Sequence, residues 1–443
     1  MPSRSQEKQS INTLIHAKWI ARVSIDELLV DHSIALNQGI IIEVLPTGSA
    51  LQKYQANSTY SLDQHLVTPG FINTHGHAAM TLFRGLADDL PLMTWLEEHI
   101  WPQETKWLSA EFTRVGSELA IAEMIKSGTT CFSDNYFFSQ EVGKAAEKAG
   151  IRAQLCPTIL NIKTPWAANI DEYLAKAEES YHTFESNPLI YSILGPHSPY
   201  VLTDNDLSKV ANKANELDCM IQMHIHETAQ EISHSLENYY CRPLARLDRV
   251  SMLDEKLQAV HMTQLTEHEM DLLAERNVKV IHCPESNLKL ASGFCPISSL
   301  KTRNITIGLG TDGAASNNDL DMLGEMRSAS LLAKASSSNA TTLNATETLR
   351  MATLDGAKSI GLDKLIGSIE PTKQADLCAI KLDELANLPI YNPISQLIYT
   401  ANRSQVSHVW VAGKILLKDK ELMTIDTNKL KEEVQVWQRK LTL

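Results

Sequence analysis

The stretch Thr68-Pro-Gly-Phe-Ile-Asn-Thr-His75-Gly-His77 is an apolar run that ends in two histidines one residue apart. Residues i and i+2 of an extended chain point to the same side, so both imidazoles can reach one metal ion at about 2.0–2.1 Å. Histidine pairs also occur in loops and in protein cores, and the pair alone is weak evidence. Its weight depends on where the other candidate ligands of the chain lie.

Apolar runs typical of buried strands alternate with amphipathic runs through the middle of the chain. The predicted strands cover residues 66–73, 128–134, 152–158, 189–197, 219–227, 257–261, 278–282 and 305–312. The predicted helices between them include residues 109–126, 204–216, 267–276 and 319–334. Several of the strands end in a polar residue that can take part in chemistry.

Eight strands that alternate with helices favour an α/β fold, a parallel (β/α)8 barrel of the TIM type. Such a barrel carries its active site on the loops at the carboxyl ends of its strands. The residues at these positions that can do chemistry are His75, His77, His197, His224, His261 and Asp312. The sequence therefore predicts that these side chains meet at one mouth of the barrel.

The two ends of the chain differ from the middle, because residues 12–21, 39–44 and 408–417 are short β-like runs with turn residues around them. Each end is too short to bury a core alone. We therefore predict one small β-sandwich-like domain that residues 1–65 and 372–443 build together, beside a barrel of residues 66–371. The alternative is that the ends are two unrelated appendages.

Composition and charge exclude several classes of partner. The chain has 53 acidic and 40 basic residues, a net charge of −13 and no dense block of Lys or Arg, which argues against nucleic acid. No apolar run is long enough to cross a bilayer, and the polar amino terminus lacks a signal-peptide core. Seven dispersed cysteines, an odd number, suit a reducing compartment. We predict a cytoplasmic protein with no membrane partner.

Four blocks of the chain resemble the amidohydrolase superfamily. They are Pro69-Gly-Phe-Ile-Asn-Thr-His-Gly-His-Ala-Ala-Met-Thr-Leu-Phe-Arg-Gly85, His224-Ile-His-Glu227-Thr, His282-Cys-Pro-Glu-Ser-Asn-Leu-Lys-Leu-Ala-Ser-Gly293 and Gly310-Thr-Asp312-Gly-Ala-Ala-Ser-Asn317. Within that superfamily the chain is similar to the branch of methylthioadenosine/S-adenosylhomocysteine deaminases, to which triazine hydrolases and guanine deaminases are related. The blocks span most of the predicted barrel in the order of the family.

The resemblance implies a metal site. One divalent ion, most often zinc, would be held by His75, His77, His224 and Asp312. Three imidazoles and a carboxylate leave room for a water molecule, as a catalytic site requires, and the ion lowers the pKa of that water to about 7. His197 stands at the end of the fourth strand, where relatives with two metals carry a lysine or an acid. A single ion is therefore expected.

The resemblance also implies the catalytic residues. In family members that act on adenine rings, hydroxide attacks the carbon that carries the exocyclic amine, and ammonia leaves. Glu227 would pass a proton to the adjacent ring nitrogen, while His261 and Asp312 help to take the proton from the water. An alternative for Glu227 is that it only favours a helix N-terminus as an acid.

Three further residues have roles that the sequence leaves open. His226 points the same way as His224 if the strand stays extended, so the alternation of side chains cannot choose the ligand, and the resemblance selects His224. His226 is then a supporting or structural group. His282 either supports the site or is a hydrogen-bonded strand end. Asp134, at the tip of the second strand, is interpreted as a loop cap.

The loops carry the evidence on substrate. In nucleoside deaminases of this branch, a glutamate at the place of Glu104 accepts hydrogen bonds from ribose hydroxyls, and a tryptophan at the place of Trp95 packs near the sugar. His197 would contact the purine or the sugar. The alternative for Trp95 and for Trp101 is ordinary helix packing.

The loop of residues 161–169 bears on the size of the substrate. The resemblance implies that relatives which accept S-adenosylhomocysteine carry an arginine in this region. A bidentate arginine suits the carboxylate of that substrate. The loop of this chain has only Lys163 as a basic residue. We therefore predict that a purine nucleoside, 5′-methylthioadenosine, is preferred and becomes 5′-methylthioinosine, with S-adenosylhomocysteine or adenosine as secondary substrates.

Two other hypotheses fit the same residues. The chain could deaminate guanine or an oxidised purine, or hydrolyse a triazine, and Glu104 discriminates because a free base has no ribose. The hypothesis of another class is a non-catalytic scaffold that metal stabilises, against which the set Glu227, His261 and Asp312 argues. Barrels of this family often pair, and a homo-oligomer is expected.

Overall fold

The computed structural model describes residues 8–442. Residues 1–7, which include the polar amino terminus, and residue 443 lie outside the described residues. The first four strands are β1 Gln9–Ala21, β2 Leu28–Asn37, β3 Ile40–Pro46 and β4 Tyr54–Pro69. β1 pairs antiparallel with β2 and parallel with β4, and β2 pairs antiparallel with β3. Gln38 and Gly39 join β2 to β3 at φ 51° and 80°, as a tight two-residue hairpin requires.

The middle of the chain contains short parallel strands. The strands are β5 Phe71–Asn73, β6 Thr129–Asp134, β7 Arg152–Leu155, β8 Thr158–Ile159, β9 Ile190–Ser192, β10 Gly195–Pro196, β11 Ile221–Ile225, β12 Leu257–His261, β13 Lys279–His282 and β14 Ile307–Leu309. β5, β6, β7 and β9 form one four-stranded sheet, and β11 to β14 form another. The Thr74 amide donates to the Leu309 carbonyl and the Gln222 amide to the Leu194 carbonyl, each at 2.9 Å, which joins the two sheets at both edges. This region has a TIM-barrel-type α/β fold.

Helices separate the strands and begin at capping residues. Ser109, Thr203 and Thr266 each accept a hydrogen bond from a backbone amide of the first helical turn. The α-helices are Thr47–Lys53, Leu92–Thr94, Trp101–Trp107, Ala110–Lys126, Ser139–Ala149, Ile170–Phe184, Asp204–Glu216, Ala229–Tyr239, Pro243–Arg249, Glu267–Glu275, Pro284–Lys289, Ile297–Thr302, Met322–Ser337, Ala345–Met351, Leu354–Ser359, Pro393–Tyr399 and Thr427–Leu441. Trp95–Ile100 is π-helical, and short 3-10 turns are Ala78–Phe83, Pro199–Val201, Leu385–Asn387 and Arg403–Gln405. The four helices expected from the sequence are all present, although the last begins at Met322 rather than residue 319.

The last four strands are β15 Leu377–Lys381, β16 Val406–Val411, β17 Lys414–Lys418 and β18 Glu421–Leu422. β15 pairs antiparallel with β4, so strands from both ends of the chain lie in one eight-stranded sheet. Its order is β18-β17-β16-β15-β4-β1-β2-β3. Trp410 of β16 is buried with Ile20 and Val67 in the apolar core of this sheet, to which both ends contribute.

Three predicted strands, residues 66–73, 152–158 and 189–197, are each divided between two strands. Residues 66–73 do not form a single strand, because β4 ends at Pro69 and β5 begins at Phe71. The residues before Gly70 pair with β15, and those after it pair with β6. A Cβ at Gly70 would lie 2.1 Å from the Thr130 side chain, so only glycine fits where the chain passes from one sheet to the other.

Two barrel strands that the sequence predicts to extend to Glu227 and Asp312 are shorter at their carboxyl ends. β11 ends at Ile225 and β14 at Leu309. The backbone then adopts a positive φ at His226 (55°) and at Asp312 (61°). Such conformations are uncommon for residues other than glycine and cluster at functional sites, so the strands end where the chain presents its chemistry.

Two further observations concern the helices and the cysteines. Among residues 8–442, no helix combines the length and the apolar character that a bilayer span requires. All seven cysteines carry free thiols, and six of them are buried. Disulfides therefore contribute nothing to this fold.

Candidate active site

Four side chains from three strand ends converge at the mouth of the barrel. His75 and His77 follow β5, His224 lies in β11, and Asp312 follows β14. One donor atom of each residue lies within 4.8 Å of every other. The Nε2 atoms of His75 and His224 are 3.1 Å apart, and Oδ1 of Asp312 lies 3.1 Å from Nε2 of His77. The structure thus brings together the four residues expected to hold a metal.

The Nδ1 nitrogens of the three histidines, which point away from the cluster, all face oxygen acceptors. The contacts of Nδ1 are Oε1 of Gln222 at 2.7 Å for His75, the Asn135 carbonyl at 2.6 Å for His77 and the His197 carbonyl at 2.7 Å for His224. A carbonyl oxygen only accepts, so each Nδ1 carries the proton and each Nε2 presents a lone pair. Three lone pairs and a carboxylate directed at one place repel one another unless a cation lies between them. The donor set therefore fits a divalent metal ion with nitrogen and oxygen ligands.

The two carboxylate oxygens of Asp312 have different partners. Oδ1 faces the histidines and accepts from the Gly313 amide at 2.8 Å. Oδ2 accepts from the hydroxyls of Ser286 at 2.6 Å and Ser316 at 3.0 Å. These three donors favour the ionised form of the Asp312 carboxylate, and the serines fix its orientation.

Glu227 lies in the turn between β11 and the helix Ala229–Tyr239. Thr228 is the N-cap of that helix and Glu231 is the acid of its first turn, so Glu227 is not a helix acid. The Glu227 carboxyl accepts from the Ser292 hydroxyl at 3.2 Å. Burial, and then repulsion by Asp312, raise the pKa of Glu227 to about 8. A carboxyl group with this pKa holds a proton at neutral pH and can donate it.

His261 ends β12, and its Nε2 lies 3.8 Å from Oε2 of Glu227. Burial lowers the pKa of His261 to about 4, so the ring is neutral at pH 7. The amide nitrogen of Asn287 lies 3.0 Å from Nδ1 of His261, and the amide oxygen of Asn287 has no hydrogen-bond donor among the described residues. Rotation of the amide group by 180° gives that oxygen a donor in Nδ1–H of His261, and Nε2 is then free to accept a proton.

The residues with open roles lie outside the metal cluster. The chain leaves the extended conformation at His226, whose Nε2 accepts from the Leu244 amide at 3.3 Å. His282 is buried at the end of β13, and burial lowers its pKa to about 3. Oδ1 of Asp134 accepts from the Ala78 amide at 2.6 Å, so Asp134 anchors the backbone just after the histidine pair.

A cavity of about 1050 Å³, including space open to solvent, adjoins the metal cluster. Its wall includes the three residues expected to contact substrate, Trp95, Glu104 and His197. Trp95 also belongs to the main apolar core. Burial raises the pKa of Glu104 to about 7, and a hydrogen bond of 2.7 Å from the Tyr136 hydroxyl opposes this rise. Burial lowers the pKa of His197 to about 3, so this ring is neutral.

The loop of residues 161–169 contributes Ile162, Lys163, Thr164 and Pro165 to the cavity wall. The hydroxyl of Tyr173 lies 2.7 Å from the Thr164 hydroxyl and donates to the Ile162 carbonyl at 3.2 Å, which holds the loop in place. Among the described residues that line the cavity, Lys163 is the sole lysine or arginine. The wall thus offers no guanidinium to a carboxylate.

The sequence did not predict the residues that orient the metal-binding side chains and those of His261 and Glu104. They are buried polar groups, namely Asn135, Tyr136, Gln222, Ser286, Asn287 and Ser316. Gln222 shares a strand face with His224, and the alternation of side chains could have indicated it. Ser286, Asn287 and Ser316 lie inside the quoted blocks, but nothing in the sequence pairs Tyr136 with Glu104.

Comparison with known proteins defines the class. The chain matches the model of the amidohydrolase family over residues 66–416. It is 45% identical over 433 residues to a Teredinibacter turnerae protein named 5-methylthioadenosine/S-adenosylhomocysteine deaminase, with 98% of each chain covered. A crystal structure of an adenosine deaminase from Xanthomonas campestris with bound zinc has a TM-score of 0.97 at 45% identity, covering 98% of this chain and 100% of that one. The chain belongs to the amidohydrolase family.

The fold extends to more distant structures. A crystal structure of atrazine chlorohydrolase from Arthrobacter aurescens, complexed with zinc, has a TM-score of 0.90 at 21% identity. The match covers 96% of this chain and 99% of that chain. At this level of identity the similarity concerns the fold alone.

Proposed function

We propose that the chain is a metal-dependent hydrolytic deaminase of an adenine nucleoside, with zinc as its metal. The observation that carries the proposal is the convergence of three histidine Nε2 atoms and the Asp312 carboxylate beside a cavity lined by Glu227 and Glu104. The names of the relatives in Teredinibacter turnerae and Xanthomonas campestris support the substrate class, and the zinc bound to the latter supports the metal.

The proposed roles follow from the protonation states of the residues. His75, His77, His224 and Asp312 would hold the ion, which when bound supplies Lewis acidity and makes hydroxide available near neutral pH. Glu227, protonated at pH 7, donates its proton to the ring nitrogen beside the carbon under attack.

The proton of the attacking water needs an acceptor. His261 is neutral at pH 7 and accepts it at Nε2 if the Asn287 oxygen holds the proton at Nδ1, and the ionised carboxylate of Asp312 shares that role. The proton taken from the water is then transferred to the exocyclic amino group, the bond from that nitrogen to the ring carbon breaks, and the amino group leaves as ammonia. The chain thus supplies both an acid and a base within one cavity.

The cavity wall also carries the proposed substrate contacts. Glu104 accepts hydrogen bonds from ribose hydroxyls, while His197 and Trp95 lie beside the nucleoside. The substrate tail meets the loop of residues 161–169, where Lys163 alone is basic. A lone ammonium binds a carboxylate less specifically than a guanidinium fork does. We therefore propose that 5′-methylthioadenosine, which has no charged tail, is preferred over S-adenosylhomocysteine and adenosine.

Loss of the adenine ultraviolet band on a panel of nucleosides tests reaction, substrate and metal together. We expect the highest kcat/KM with 5′-methylthioadenosine, loss of turnover with a chelator and recovery with zinc. A higher kcat/KM with S-adenosylhomocysteine would contradict the preference. Turnover of guanine or atrazine without turnover of any adenine nucleoside would contradict the proposed reaction. A zinc-loaded protein that turns over no compound of the panel would indicate a non-catalytic scaffold.

The variant Glu104→Gln separates nucleosides from free bases. An amide accepts hydrogen bonds less strongly than a carboxylate, so the KM for a nucleoside should rise about tenfold or more while that for a free base hardly changes. The matched control is Glu98→Gln, because Glu98 is exposed and lies outside the cavity wall.

We also propose the domain division and the assembly. Residues 66–371 form a (β/α)8 barrel, and residues 1–65 and 372–443 form a composite β-sandwich-like domain, which the pairing of β4 with β15 supports. The free thiols suit the cytoplasm. Light scattering after size exclusion tests the expected homo-oligomer, and a monomeric mass would contradict it.

A further inference from the structure

We propose that Tyr136 is the positioning residue that fixes the carboxylate of Glu104 and so sets how strongly the site selects a ribose hydroxyl. This inference rests on the proposed function. The Tyr136 hydroxyl donates to Oε1 of Glu104 at 2.7 Å, and both side chains line the cavity. One oxygen of the carboxylate is therefore held, which fixes the plane of the carboxylate and leaves its other oxygen oriented toward a ligand.

The support of Tyr136 is rigid. The residue lies just beyond β6, is 2% exposed and packs edge-on against Phe137 with ring centroids 5.3 Å apart. The preceding residue, Asn135, accepts from Nδ1 of His77 through its carbonyl at 2.6 Å. Two consecutive residues thus hold a metal-cluster histidine and the substrate-binding carboxylate. The tip of β6 sets the distance between the reacting end and the ribose end of the cavity.

Glu104 has little other support. It lies in the short helix Trp101–Trp107 and is only partly buried. Among residues 8–442, the Tyr136 hydroxyl is the one hydrogen-bond partner of its carboxylate. A carboxylate that loses this donor becomes free to rotate, and binding must then order it again. Removal of a hydrogen bond to a charged group typically weakens an interaction by about tenfold or more.

The test compares adenosine with its 2′-deoxy and 3′-deoxy counterparts. Wild-type protein should favour adenosine over at least one of them in kcat/KM. Tyr136→Phe should reduce this ratio by about tenfold, mainly through KM, and Glu104→Gln should reduce it at least as far. The double variant should be no worse than Glu104→Gln, because both changes remove one contact.

The matched control is Tyr181→Phe. Its hydroxyl donates to the Leu217 carbonyl at 3.1 Å, away from the cavity wall, so its removal should leave the ratio unchanged. Glu104→Asp is a second variant that guards against misfolding of Tyr136→Phe. It keeps the carboxylate but shortens the side chain, and it should lose discrimination in the same way.

The inference would be overturned if either Tyr136→Phe or Glu104→Asp kept the wild-type preference for adenosine, or if the losses of the two single variants multiplied in the double variant. Calorimetric binding of inosine and its deoxy counterparts gives the same ratios without turnover. A protein that selects ribonucleosides but deaminates none of them would refute the proposed function, while the binding ratios of the variants would still decide the role of Tyr136.

Discussion

Oε1 of Gln222 lies 2.7 Å from Nδ1 of His75, although the two residues are 147 positions apart in the chain. The Gln222 amide nitrogen donates to the Thr74 carbonyl at 3.0 Å and to Oε1 of Gln258 at 2.7 Å, which directs the oxygen toward His75. One buried side chain thereby sets the tautomer of a residue in the metal cluster.

Gln222→Ala should weaken zinc binding by about 10–100-fold, because it leaves the His75 N–H without an acceptor and the ring free to turn. Competition with a chromogenic chelator measures the affinity. Gln405→Ala is the control, since Gln405 is equally buried but donates to the Lys381 carbonyl in the terminal sheet. Equal zinc affinity in the two variants would contradict this role for Gln222.

Glu227→Gln should lower kcat by about 10²–10⁴-fold, because an amide cannot transfer a proton to the ring nitrogen. Zinc content should stay at the wild-type level, since Glu227 lies outside the metal cluster. Metal analysis and steady-state kinetics on one preparation check both statements. Loss of zinc together with activity would show that Glu227 acts on the metal instead.

Gly310→Ala should displace His75. A Cβ at position 310 would lie 2.8 Å from the His75 backbone nitrogen and 2.9 Å from its Cβ, closer than atoms can approach. We expect reduced zinc content and a loss of about 1–3 kcal/mol in the free energy of unfolding, as overpacked cores show. Gly48→Ala is the control, because a Cβ there meets nothing within 4 Å. A Gly310→Ala protein with normal zinc content and stability would refute the expected displacement.

The KM for a nucleoside should rise as the pH falls below about 7. Burial raises the pKa of Glu104 to about 7, although the hydrogen bond from Tyr136 opposes the rise. Protonation at lower pH removes the negative charge that accepts from ribose, so binding weakens in the acid direction. Between about pH 5.5 and 8.5, the KM of the wild-type protein should change with pH as the Glu104 carboxyl titrates. The KM of Glu104→Gln should lack this pH dependence. A wild-type KM that rises toward alkaline pH would oppose this assignment.

Local patterns of the sequence predicted much of the fold. Apolar and amphipathic runs are properties of neighbouring residues, and they predicted the strands, the helices and the polar residues at the strand ends. The assignment of His75, His77, His224 and Asp312 as metal ligands came from the resemblance to the amidohydrolase superfamily. The break at Gly70 was missed because residues 66–73 read as one apolar run, and the two sheets that divide it come from distant parts of the chain.

The sequence by itself determined which residue types stand at the carboxyl ends of the barrel strands, because the order of the strands and the polar residues that follow them depend on neighbouring residues. The alternation of side chains could not choose between His224 and His226, and the resemblance selected His224. The tertiary structure supplies the physical reason, since a positive φ at His226 turns the chain away from the extended conformation there. It also decided which ring nitrogens carry protons and that Tyr136 holds Glu104. These facts depend on hydrogen bonds between residues far apart in sequence, and such distances exist only after the chain has folded.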